Sequence, residues 1–262
     1  MGLFSFFKKK VAPKEAKLSS LLGMVLMREL GTHDIDKTIM ELQSKWNLKI
    51  TDKAVDSKSS VLTIDNYSIA IMSIPAAIPG DEVAEAAQYN HMWPDAVAET
   101  SKHKEHIIVS ILNAGKNPIK ENLLYSKVAS SILNNSDAIG IYIGQRTLML
   151  STEFYQTNIS DMTDSNLPVL IWIYFGIRHE NEAFSMYTYG LTDFGKTEME
   201  IIGSHKPIEE LHEMMYNMVH YVLAFDITLK SGETIGISAE QKLKITESKG
   251  KYVEGNTLKI EF

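Results

Sequence analysis

Ile107-Ile108-Val109-Ser110-Ile111-Leu112, followed by Asn117-Pro118 and a helical pattern with Leu124, Val128 and Ile132 four residues apart, is the stretch on which the fold turns. The first part is a short apolar run rich in β-branched residues and reads as a buried strand. Asn117-Pro118 opens this helix. Residues 139–143 and 147–150 then bracket Gly144-Gln145-Arg146 as a hairpin. The same plan stands upstream. Met24-Val25-Leu26-Met27 reads as a strand ending at Gly31, and a helix follows with Thr32 or Asp34 as its cap. Ile35, Ile39, Leu42 and Trp46 share one face of that helix, and residues 61–64 and 67–74 form a hairpin around Asp65-Asn66. The repetition is one of order, βαββ, with slight residue identity.

Working outward, residues 47–60 are polar and read as a loop, and 75–105 hold two short helical patterns at 81–88 and 94–103. Strand, helix, hairpin, helical segment and strand 107–112 make the order βαββαβ, the split βαβ or ferredoxin-like plan. Downstream, 168–177 and 183–189 read as a hairpin around Arg178-His179-Glu180-Asn181, with a short strand at 199–202. Residues 207–225 form the clearest helix, striped by Ile208, Leu211, Met215, Met218, Val219 and Val222. Glu209, His212, Glu213, Tyr216 and His220 fall on its flank and polar side, a solvated face. Short strands are expected from about residue 227, punctuated by Ser231-Gly232, Lys249-Gly250 and Gly255-Asn256. The expected fold is α+β: a largely antiparallel sheet with helices on one face. Residues 21–262 are read as one domain behind a basic and aromatic leader, 1–20.

Of the 262 residues, 44% are hydrophobic and 23% charged, an ordinary globular balance. The absence of cysteine excludes thiol nucleophiles, thiolate metal sites and disulfides. A net charge of −7 argues against nucleic acid as a partner. No run reaches the ~18–20 apolar residues of a membrane span, so a cytoplasmic protein is expected. In the leader, Leu3, Phe4, Phe6 and Phe7 precede Lys8, Lys9 and Lys10, the reverse of a secretory signal. Aromatics followed by lysines suit weak contact with an anionic membrane surface through residues 3–10, peripheral to the inner face.

The chemistry-bearing residues concentrate at Asn90-His91-Met92-Trp93-Pro94-Asp95 and His103-Lys104-Glu105-His106. Three of the eight histidines lie within sixteen residues there. His91, Trp93, Asp95, His103 and His106 are therefore the candidate ligand or partner site. Prolines stiffen the connection, so an aromatic or imidazole held in it loses little entropy on contact. The competing reading makes Trp93 a lid on the core and the histidines structural. A metal set of His91, His103 and His106 is the alternative, holding zinc or another divalent ion. The spacing of His103 and His106 differs from the four-residue spacing of a zincin helix. Gly140 to Gly144 is no phosphate loop, and Asp193-Phe194-Gly195 lacks the rest of a kinase.

Ile74-Pro75-Ala76-Ala77-Ile78-Pro79, Trp93-Pro94-Asp95-Ala96 and His103-Lys104-Glu105-His106-Ile107-Ile108-Val109-Ser110 together resemble the bacterial domain-of-unknown-function family numbered 4261. Ser231-Gly232-Glu233-Thr234-Ile235-Gly236 is similar to that family's closing strand motif. The resemblance spans most of residues 22–262. It implies an α+β cytoplasmic domain and brings no catalytic residue or cofactor. The expected function is a non-catalytic binding or regulatory module, of adaptor or immunity type, with a protein partner and no cofactor. The alternative is a metal-assisted hydrolase centred on residues 91–106.

Overall fold

The computed structural model describes residues 21–236 and 241–262, so the leader lies outside the described residues. β1 (Leu21–Met27) leads to α1 (Ile35–Ser44), where the Asp34 carboxylate accepts the Lys37 amide at 3.0 Å. That bond satisfies one of the helix's orphan donors. β2 (Ile50–Val55), β3 (Ser59–Ile64) and β4 (Tyr67–Ile74) form a meander. Asp65 and Asn66 both have positive φ, the geometry of a two-residue hairpin turn. α2 (Glu82–Gln88) and α3 (Ala96–Thr100) precede β5 (Glu105–Ile111). α4 (Pro118–Asn134) starts at the proline behind Asn117, whose side chain accepts the Lys120 amide. Glu121 gathers the amides of Gly115, Lys116 and Asn117, and these bonds hold its carboxyl below the usual range although burial opposes them. β6 (Ala138–Ile143) and β7 (Leu148–Ser151) complete a sheet ordered β2-β3-β4-β5-β1-β6-β7.

Every pairing in this sheet is antiparallel. A split βαβ sheet needs a parallel pair at its centre, so the ferredoxin-like expectation does not describe the pairing. Instead β1 and β5, the first strands of the two βαββ copies, lie side by side. Each hairpin joins the other copy's strand: β4 pairs with β5, and β6 with β1. α1 and α4 pack against each other, and α4 also lies on β1, β5 and β6. Gly23 permits this approach, because a Cβ there would collide with the Tyr125 hydroxyl.

Helices are not confined to one face. α2 and α3 sit opposite, where Val83, Ala86, Ala87 and Ala96 cover Leu26, Ile139, Tyr142 and Met149 in a second, smaller core. Alternation along β1 sends Val25 and Met27 to the main core and Leu26 to the minor one.

α5 (Thr152–Ser160) follows β7, with Ser151 as its cap, in a stretch that the sequence reads as strand-rich. Residues 168–177 do not form one strand. Val169–Ile171 make a 3-10 turn before β8 (Tyr174–Glu180). Trp172 there donates its indole N–H to Ser126 at 2.8 Å, a side-chain demand that a fully apolar run does not announce. Residues 47–60, read as a loop, contain the edge strand β2, whose solvated side chains carry no apolar alternation. The β8 turn lies at Asn181-Glu182, both at positive φ, beyond the expected 178–181 centre.

β9 (Ala183–Tyr189), β10 (Met199–Ser204), α6 (Ile208–Ala224), β11 (Thr234–Ile235), β12 (Leu243–Lys249) and β13 (Asn256–Ile260) complete the chain. The second sheet runs β11-β12-β13-β10-β9-β8, and only β10 and β13 pair in parallel. α6 packs on β9, with Leu211, Met215, Val219 and Val222 fully buried and Glu209 and Glu213 exposed, as the stripe implies; Asn217 is half-buried. The architecture is therefore α+β and largely antiparallel, built from two sheets. Among the described residues no helix is long and apolar enough to cross a membrane.

Arg146, in the turn between β6 and β7, is buried and joins the layers. Its Nε donates to Asp193 at 2.8 Å, and its Nη1 donates to Asn122 Oδ1 at 2.7 Å and the Trp172 carbonyl at 3.2 Å. Its guanidinium also lies over the Phe194 ring at 5.0 Å. Arg146→Met is expected to cost about 3–5 kcal/mol in urea unfolding, because it strands the buried Asn122 side chain and Trp172 carbonyl, and Arg146→Lys to recover only part. On α6, Leu211→Ala should cost about 2–5 kcal/mol and Glu213→Ala no more than about 0.5 kcal/mol. Equal losses would show the α6 stripe misassigned.

Candidate functional site

The five sequence candidates separate into two groups. His103 and His106 are fasteners for the segment before α2. His103 Nε2 accepts the Ile78 amide at 2.9 Å, so its Nδ1 carries the proton and donates to the Thr100 carbonyl at 2.6 Å. His106, buried on β5, donates from Nδ1 to the Ala76 carbonyl at 2.8 Å. Both nitrogens of His103 are committed, and neither ring turns toward His91. Among the described residues no three His, Asp or Glu side chains are placed to hold a metal ion. The turn from helix to strand at Lys104 sends the rings of His103 and His106 to the 75–78 segment. Asp95 caps α3 through its carbonyl, which accepts the Glu99 amide, and its side chain makes no capping bond.

His91 and Trp93 belong to another neighbourhood. They lie in the loop between α2 and α3, which is fastened to both sheets. Asn90 Nδ2 donates to the Met149 carbonyl on β7, and Asn90 Oδ1 accepts the Met92 amide at 2.9 Å. The Tyr174 hydroxyl, from β8, donates to the Tyr89 carbonyl at 3.3 Å. Trp93 is half-buried against the minor core, as the lid reading expects, and its other side borders a narrow cleft.

That cleft, of about 50 Å³, lies between the loop, β7, the start of α5, residues 170–175 and the first turns of α6. Its walls include His91, Trp93, Phe154, Tyr174, Phe175 and His212, and no Asp, Glu, Lys or Arg contributes. Ligand sites for metabolites typically measure ~300–1,000 Å³. The space here admits one small apolar side chain. The His212 ring stands 5.6 Å from the Phe175 ring. Burial pushes the His212 pKa down, and burial, reinforced by His212, does the same for His91. Burial likewise pushes the Tyr174 hydroxyl up to about 12. The cleft therefore favours uncharged forms throughout, and its Ser151 hydroxyl is already engaged as the cap of α5.

Sequence reasoning placed His212 on a solvated helix flank and residues 169–175 inside a strand, and so missed half of this site. The signals were the aromatic pair Tyr174-Phe175 closing the apolar run and a histidine adjoining the buried Leu211.

Both depressed imidazoles make the native state bind fewer protons than the unfolded chain as pH falls below their ordinary value of 6.5. Stability is therefore full above that value and declines as pH drops toward the folded pKa values. His212→Gln should reduce the fall in Tm between about pH 7 and about pH 5; an unchanged slope would remove His212 from this account.

No curated protein and no solved structure matches the chain. The family model of a domain of unknown function, DUF4261, matches residues 187–261. The match takes in Ser231 to Gly236 and leaves the 74–110 pattern and the loop of the cleft outside it. The chain is thus similar to the DUF4261 family over this C-terminal segment, which holds β10, α6 and the strands of the second sheet that follow.

Proposed function

We propose that the protein is a non-catalytic binding module, of adaptor or immunity type, that docks a partner protein on the loop between α2 and α3. One observation carries this reading: the loop is fastened to β7 and β8, yet it holds large apolar side chains in solvent. Tyr89 is 56% exposed and Met92 is 51% exposed. A surface already rigid when free loses little conformational entropy on binding, and aromatic and methionine side chains are favoured anchors. The adjoining cleft, apolar and without acidic or basic walls, would receive one apolar side chain of the partner between Trp93 and Phe175. His91 and Trp93 belong to this surface, with Asp95 on its rim, while His103 and His106 support it from beneath. The acidic net charge of −7 favours a protein over a nucleic acid. The cysteine-free composition fits work in the cytoplasm.

A photo-crosslinking residue at position 92 tests the reading, compared with one at Met40, which is more open still on α1. A discrete adduct is expected from position 92 in living cells and not from position 40. Tyr89→Ser should abolish it while leaving Tm within about 2 °C, since surface changes cost little. Identical adducts from both positions would overturn the proposal.

A further inference from the structure

The first sheet has a face that its helices leave half open. Strand register puts Leu22, Ser110, Ala70 and Val61 in one row across β1, β5, β4 and β3. Ile108 and Met72 stand beside each other in the next row. The opposite faces of these strands are buried in the main core. On this side α2 and α3 cover β6, β7 and the Met24–Leu26 end of β1, and the minor core they form takes in no residue of β3, β4 or β5. Val61 and Met72 are each 40% exposed, and Leu22, Ala70 and Ile108 are half-buried. Ser110 and Ala70 are small, so the larger side chains border a shallow apolar trough.

We propose that the leader's Leu3, Phe4, Phe6 and Phe7 cover this trough in the same molecule. The attachment point favours it. The leader enters the sheet at Leu21, next to Leu22 of the open face, and Met72 lies two strands away from β1, about 10 Å. The fourteen Cα-to-Cα steps from Phe7 to Leu21 can span about 45 Å when extended, ample for the distance. Charge favours it too. The leader has five lysines and one glutamate, whereas the whole chain carries −7, so a basic segment faces an acidic body. A second copy would bring acidic body against acidic body. Tethering adds an effective concentration in the millimolar range, which lets a small apolar contact persist.

The natural chain has no cysteine, so an introduced pair reports proximity without background. In the full-length protein, Phe6→Cys with Met72→Cys should close an intramolecular disulfide under mild oxidation about tenfold faster than Phe6→Cys with Tyr221→Cys, on exposed α6. Adding Val61→Asp to the first pair should slow closure several-fold, with Tm measured on every variant to verify folding. Equal rates for the two pairs overturn the proposal. A disulfide-linked dimer as the main product also overturns it and assigns the trough to a second copy. Equal rates together with sedimentation on phosphatidylserine vesicles overturn it in favour of a membrane contact by the leader.

Discussion

A single buried guanidinium holds the two sheets in register. Arg146 emerges from the hairpin of the first sheet and takes acceptors from α4, from the turn before β8 and from the turn after β9. The acceptors come from three separate segments of the chain, so each constrains where the others can sit. The planar fork of arginine fits this task better than a lysine ammonium, whose point charge does not fix direction. Around it, Trp172 stacks on Phe194 at 5.7 Å and donates to Ser126, extending the same polar seam through the main core. Two buried carboxylates do comparable work within the second sheet. Glu198 accepts from Thr188, Gly190 and Thr192, with burial raising its pKa. Glu200 pairs with Lys259 and accepts from Thr257 and two amides; those bonds outweigh burial and lower its pKa.

What was legible in the sequence is what local physics decides. The Asp34 cap, the helix start at Asn117-Pro118, the Asp65-Asn66 turn and the apolar stripe of α6 each need only neighbouring residues to be satisfied. The sheet order was not legible, because βαββ repetition is compatible with several ways of pairing the hairpins. The edge strand β2 was hidden because its side chains face water. The 3-10 turn at Val169 was hidden because a completely buried run has no period to read. Glu182 at positive φ is an uncommon turn residue, which displaced the expected centre of the β8–β9 hairpin.

The candidate site shows the same division. Clustering in the chain drew attention to His91 and Trp93, which line the cleft, and grouped them with His103 and His106, whose hydrogen bonds point elsewhere. Their real neighbours, Phe154, Tyr174, Phe175 and His212, come from three later segments, and only tertiary packing unites them. His103 and His106 were informative in a different way: each secures a backbone atom of the 75–78 segment, which sets the path into α2.

The position of β13 affects the order in which the chain can acquire structure. It lies inside the second sheet, between β12 and β10, and its pairing with β10 is parallel. Residues 199–200 therefore wait for residues 258–259 before their outer backbone groups find partners. During synthesis the first sheet has all seven strands once residue 151 has been made, while the second lacks an inner strand for another hundred residues. Meanwhile β10 presents an unpaired edge beside the apolar stripe of α6. Nascent chains of this protein thus carry a long interval in which one half can be packed and the other remains adhesive.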